Sequence, residues 1–250
     1  MSRIKVVGLP GNMACIVSEA QAFPGESFGF GLPEAIGDTA RTFWFGSIKP
    51  DWREMADGAW RSTGRQAGEL SYTLDVVPGE DTVDIRIEVC NESDRVWAQS
   101  HAFNCINCGG APSVADHECR RHWVGMDGSL RRLIQTPRVF GPRPTVQLYS
   151  VEGAPKGADI PFVAGFRSTP EDVTLEGWMA IVSRDGKRLI ATASQPALYL
   201  FQNMEYSCIH SAQSLGALAP GEKGRALTRV YLVEAPLREW HARMKRELHP

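Results

Sequence analysis

Alternation with a period of two dominates the chain. In DTVDIRIEVCN, residues 81–91, Val83, Ile85, Ile87 and Val89 alternate with Thr82, Asp84, Arg86 and Glu88, the pattern of an antiparallel strand with one face buried and the other in water. The preceding ELSYTLDVV, bounded by Pro78-Gly79, predicts its hairpin partner. Asp127-Gly128 in RHWVGMDGSLRRLI and Asp185-Gly186 in GWMAIVSRDGKRLIATAS each stand between two apolar runs. Both predict hairpins, because Asp and Gly tolerate the positive φ angles of a type I′ turn. ALYLFQN, EYSCIHS and GRALTRVYLVEA add further strands.

Helical periodicity is clear in one place. In PLREWHARMKREL, Leu237, Trp240, Met244 and Leu248 fall on one face and the basic residues on the other, with Pro236 at the start. DWREMADGAW, 51–60, is a second, weaker helical candidate. There is no βαβ alternation, Gly-rich phosphate loop or fixed-period repeat. The predicted fold is therefore mainly β, a large antiparallel β-sandwich closed by a C-terminal helix, with residues 1–250 as a single domain.

Composition narrows the function classes. A net charge of −2 and the lack of any basic run argue against nucleic acid as a partner, since phosphate contacts call for a basic face. No apolar run is long enough to cross a bilayer, so a membrane is not expected either. MSRIKVVGLPGNMACIVSEA is broken by Gly8, Pro10 and Gly11 and lacks the unbroken apolar region of a signal peptide. The expected compartment is the cytoplasm, where Cys15, Cys90, Cys105, Cys108, Cys119 and Cys208 would be reduced.

Three stretches, in order, resemble the galactose mutarotase-like (aldose epimerase-like) superfamily. HAFN at 101–104 is similar to that family's catalytic-histidine strand, ALYLFQN at 197–203 to its LQLYTGN strand, and YSCIHSAQSLGALAPGE at 206–222 to the stretch carrying its catalytic glutamate and an L-x-P-G-E turn. The resemblance implies a divergent member with the family's large supersandwich, a sugar substrate and a catalytic role for His101. Where the family reads Cys-Leu-Glu, this chain reads Cys208-Ile209-His210, which puts a histidine at the position of the general base.

Alternation puts His101, Phe103 and Cys105 on one face of their strand and Ala102, Asn104 and Ile106 on the other, and puts Cys208 on the face of His210. The predicted chemistry is proton transfer on a sugar or sugar derivative, by an epimerase, isomerase or β-elimination lyase. His101, His210 and Glu205 would be the catalytic groups, and Asn104, Gln202, Asn203 and Arg41 would bind substrate. Imidazole also suits a divalent metal, so one ion held by His101, Glu205 and His210 is an alternative. A structural zinc at Cys105, Cys108 and Cys119 is another, as Cys105-x2-Cys108 is a known half-site. The rival to an enzyme is a non-catalytic carbohydrate-binding or accessory domain. A homo-oligomer is open, and in a third alternative the Leu237, Trp240, Met244 and Leu248 face packs on a partner.

Overall fold

The computed structural model describes residues 4–11, 14–138, 145–154 and 173–248. They form two nine-stranded sheets packed face to face. The first sheet runs β1 (Lys5–Gly8), β2 (Ala14–Ser18), β3 (Ser27–Gly37), β9 (Trp97–Asn107), β17 (Cys208–Leu218), β16 (Ala197–Asn203), β12 (Val146–Val151) and β13 (Thr174–Leu175), with β4 (Thr42–Trp44) paired to β3. The second runs β11 (Ser129–Arg132), β10 (His122–Met126), β14 (Trp178–Val182), β15 (Arg188–Gln195), β18 (Lys223–Glu234), β8 (Thr82–Asn91), β7 (Leu70–Pro78), β6 (Trp60–Gln66) and β5 (Asp51–Glu54). Pairing is antiparallel throughout except between β12 and β13. Two α-helices, the single turn α1 (Phe45–Ile48) and α2 (Leu237–Leu248), and two 3-10 turns at Ala56–Gly58 and Leu133–Gln135 complete the described fold.

The predicted β7–β8 and β10–β11 hairpins are present, and in the latter Asp127 and Gly128 take φ values of 51° and 68°, as a type I′ turn requires. The β14–β15 connection is longer: pairing stops at Val182 and Leu189, and only Gly186 has positive φ. The helix expected over 51–60 is instead a hairpin, β5 against β6, whose turn holds Asp57 and Gly58 in left-handed conformation. EYSCIHS is also a strand only in its second half, because Met204–Ser207 form the turn into β17.

Inward-facing Ala102, Ile106, Leu200 and Ile209 of the first sheet meet Ile85, Ile87, Val230 and Leu232 of the second in the main core. The outer face of the second sheet, with Trp178, Ala191 and Tyr231, is covered by α2 through Trp240, Met244 and Leu248. Arg243 with Asp81 and Arg229 with Glu247 tie the helix down. The helix face considered for a partner is thus buried against the protein's own sheet, because its apolar stripe matches an apolar sheet face that would otherwise be wet. No described helix is long and apolar enough to cross a membrane.

Candidate functional site

The outer face of the first sheet carries the unusual chemistry. Alternation brings His101, Phe103 and Cys105 of β9, Cys208, His210 and Ala212 of β17, and Tyr199 and Phe201 of β16 to this side, opposite the main core. His101 and His210 are both buried. The β9–β17 register, which pairs Ile209 with Ile106 and Gln213 with Ala102, sets His210 opposite Cys105 and four residues from Ser214, the partner of His101. At a strand rise of about 3.4 Å per residue the backbones of the two histidines are roughly 14 Å apart along the sheet. They share a face, with the rings of Phe103 and Tyr199 between them.

Phe103 fills the gap. Its ring stacks on His210, with centroids 4.7 Å apart and planes 11° from parallel, and lies 5.9 Å from Tyr199, whose ring is met edge-on by His101. His210 Nδ1 is 2.7 Å from the Phe201 carbonyl oxygen, to which it can only donate, so Nε2 is left with its lone pair. Burial holds the His210 pKa down at about 3, against a small opposing effect of that bond, and the His101 pKa down at about 4. Both rings are neutral at pH 7. His101 Nε2 is buried without a hydrogen-bond partner.

The residue facing His210 Nε2 is Glu34, 3.9 Å away through Oε2. It reaches this face through an irregularity in β3. Gly31 pairs with Cys105 and Ala35 with Phe103, so Leu32, Pro33 and Glu34 stand against Asn104 alone. The surplus of two residues over β9 forms a bulge that turns Glu34 outward beside Ala35. Oε2 is buried and unpaired, while the side chain as a whole keeps 25% exposure, enough for proton exchange with solvent. Burial pushes the carboxyl pKa up to about 7. A proline inside a strand pattern, followed at once by an acid, is the sequence signal that could have marked this position.

Four of the other expected site residues lie elsewhere, and Asn203 lies at the edge of this face. Glu205 sits in the exposed β16–β17 turn, where its carboxylate accepts from Thr145 Oγ1 and its backbone N–H donates to Asn203 Oδ1, so Asn203 caps a turn. Asn104 points into the sandwich and donates to Gln213 and Thr228, within a polar seam that continues through Ser194 and Ser211. Gln202 is also on the inner face and accepts from Arg138 at 2.6 Å. Arg41 is exposed, paired with Glu69 and laid over Phe43. For Glu205, Asn104, Gln202 and Arg41 strand parity or a turn takes the side chain away from the site, whereas Asn203 pairs with Cys208 and stands on the same face at its edge.

His101, Glu205 and His210 therefore do not converge on one ion. A zinc at Cys105, Cys108 and Cys119 is not formed either: Cys108 and Cys119 are buried, and among the described residues the one group of three or more close ligand atoms is Cys105, Cys208 and His210. His122 is held by Asp116 and His117 by the Met204 carbonyl, so neither completes a knuckle.

No protein-family profile matches the chain, and no curated protein matches its sequence. Solved structures do match. A galactose mutarotase-like protein from Lactobacillus casei ATCC 334 superposes with a TM-score of 0.51 at 13% identity, over 93% of this chain and 98% of its own. A galactose mutarotase-like protein from Clostridium acetobutylicum gives 0.47 at 8% identity over 92% and 94%, and a galactose mutarotase related enzyme from Lactobacillus acidophilus gives 0.45 at 9% over 94% and 98%. The two facing antiparallel sheets, their order and the near end-to-end superposition on the Lactobacillus casei protein lead to one assignment: this chain has the galactose mutarotase-like β-sandwich fold.

Proposed function

We propose that the protein is a carbohydrate-active enzyme that moves a proton on a sugar or sugar derivative at the outer face of the first sheet, around Glu34 and His210. The observation that carries this reading is that pair: a carboxyl with one oxygen buried against an imidazole lone pair, on a side chain that still reaches solvent. Epimerisation, isomerisation and β-elimination all need a group that takes a proton and a partner that steers or returns one. Glu34 is the carrier, and His210 Nε2, 3.9 Å from it, is an acceptor for a substrate hydroxyl. Phe103, Tyr199 and Phe201 pack around the pair as a buried apolar cluster that lowers the local polarity. His101, further along the face, has an unpaired Nε2 suited to a more distant hydroxyl. The likeness to a galactose mutarotase-like protein supports a sugar as the ligand class.

The test is proton exchange by NMR on a panel of aldoses, ketoses and uronates, with wild type and Glu34→Gln. The expected result is exchange or anomer interconversion on one substrate class, at least ~10²-fold slower in the variant. Binding of a sugar without turnover in the wild type would replace the enzyme by a carbohydrate-binding domain. Failure to bind any sugar would overturn the reading.

A further inference from the structure

The same face holds two cysteines that proton transfer does not use, next to the histidine that it does. Cys105 and Cys208 come from neighbouring strands and are free thiols with sulfurs 3.3 Å apart. Together with an imidazole nitrogen of His210, their ligand atoms all lie within 4.8 Å of one another. Since Nδ1 is committed to the Phe201 carbonyl, Nε2 is the nitrogen available. The backbone explains the convergence: His210 stands opposite Cys105 in register, and Cys208 is two residues before His210 on the same strand face.

We infer that Cys105, Cys208 and His210 bind one thiophilic divalent metal ion of the zinc class, with a fourth position open beside Glu34. Two thiolates and a neutral imidazole are a soft donor set that selects zinc over magnesium or calcium. Binding releases both thiol protons to water, and the two sulfur charges neutralise the dication, so the centre is neutral and can sit in a buried pocket. A tetrahedral ion with zinc–sulfur bonds of about 2.3 Å sets its sulfurs about 3.8 Å apart, which asks these two side chains to open by roughly half an ångström. The 3.9 Å gap between His210 Nε2 and Glu34 Oε2 is too long for a hydrogen bond and wide enough for an ion, or its bound water, to stand between them. The Phe201 carbonyl on Nδ1 and the Phe103 stack already hold the imidazole in a fixed tautomer and plane, as metal-bound histidines usually are. With such an ion bound, His210 would serve as a ligand and Glu34 would stand beside the open position.

The experiment is titration of metal-free full-length protein with cobalt(II), then zinc(II), under a phosphine reductant that keeps both sulfurs as thiols. The expected result is one equivalent of cobalt with thiolate charge-transfer absorption in the near ultraviolet, displaced by zinc. Cys105→Ser, Cys208→Ser and His210→Asn should each weaken binding at least tenfold, and Cys108→Ser should not. X-ray absorption on the zinc-loaded wild type needs no variant and should find two sulfur scatterers at about 2.3 Å. A reduced wild type that takes up no cobalt in this band, a zinc shell without sulfur, or folded variants that bind as the wild type does would each overturn the inference. None of these readouts involves a sugar, so the metal and the substrate reading can fail separately.

Discussion

The Phe103 ring lies flat on the His210 imidazole, 4.7 Å between centroids. The contact fills the space between the two ends of the outer face, and with the bond to the Phe201 carbonyl it leaves the imidazole one orientation. Phe103→Leu keeps an apolar side chain but loses the flat contact. Urea denaturation should show a loss of about 1–2 kcal/mol, and the His210 ring resonances, sharp in the wild type, should broaden. Unchanged stability and line widths would mean that the stack does not hold the histidine.

Asn104 is a structural residue in this fold. It spans the two sheets through Gln213 and Thr228, and truncation leaves buried polar groups short of a donor. Asn104→Ala should cost about 1–3 kcal/mol in chemical denaturation, with affinity for any bound sugar unchanged. A selective loss of sugar affinity would return Asn104 to the binding site.

Acid should loosen the join between α2 and the second sheet. Glu176 accepts from His241, Trp178 and Lys245, and the bond from His241 is the largest of the effects that hold its pKa down at about 2. A carboxylate with a depressed folded pKa adds stability that is fully present above its ordinary pKa and is lost as the pH falls through the folded value. The stability difference between wild type and Glu176→Gln should therefore be on the order of 2 kcal/mol above about pH 5 and vanish by about pH 2. A difference independent of pH across that window would show that the ionised carboxylate is not the stabilising form.

Trp240 is the centre of the helix contact, with its ring edge-on to Trp178 at 5.1 Å and to Tyr231 at 5.6 Å. Trp240→Ala should cost about 3–5 kcal/mol and expose α2 to proteolysis first. A cost below about 1 kcal/mol would mean that the helix contributes little to the sandwich.

The elements that could be read from the sequence are those whose information is local. Period-two alternation in 81–91 and the Asp127-Gly128 turn need no distant partner, and the pattern of Trp240, Met244 and Leu248 marks a helix face by itself. Residues 51–60 misled because Trp52, Met55 and Ala59 fit a helical stripe, while Asp57-Gly58, the same turn signal as at 127–128, settled the conformation. His101 and His210 could be named, and their faces followed from parity, but the separation between them depends on register. The donor cluster escaped for the same reason: Cys105 and Cys208 are 103 residues apart in sequence and meet only because β9 and β17 are neighbours. Glu34 was hidden by the bulge, since simple alternation from Ala35 would turn it into the core.

That bulge also separates chemistry from architecture. Its surplus over β9 is two residues, an even number, so Gly31 before it and Ala35 after it face the same side and the pairings on either flank stay in step. The acid is thus borne on an insertion that leaves the flanking register unchanged, while Leu32 of the same insertion is buried in the main core. Trimming the insertion to restore an unbroken strand would remove Glu34 from the site and leave His210, Cys105 and Cys208 where they stand.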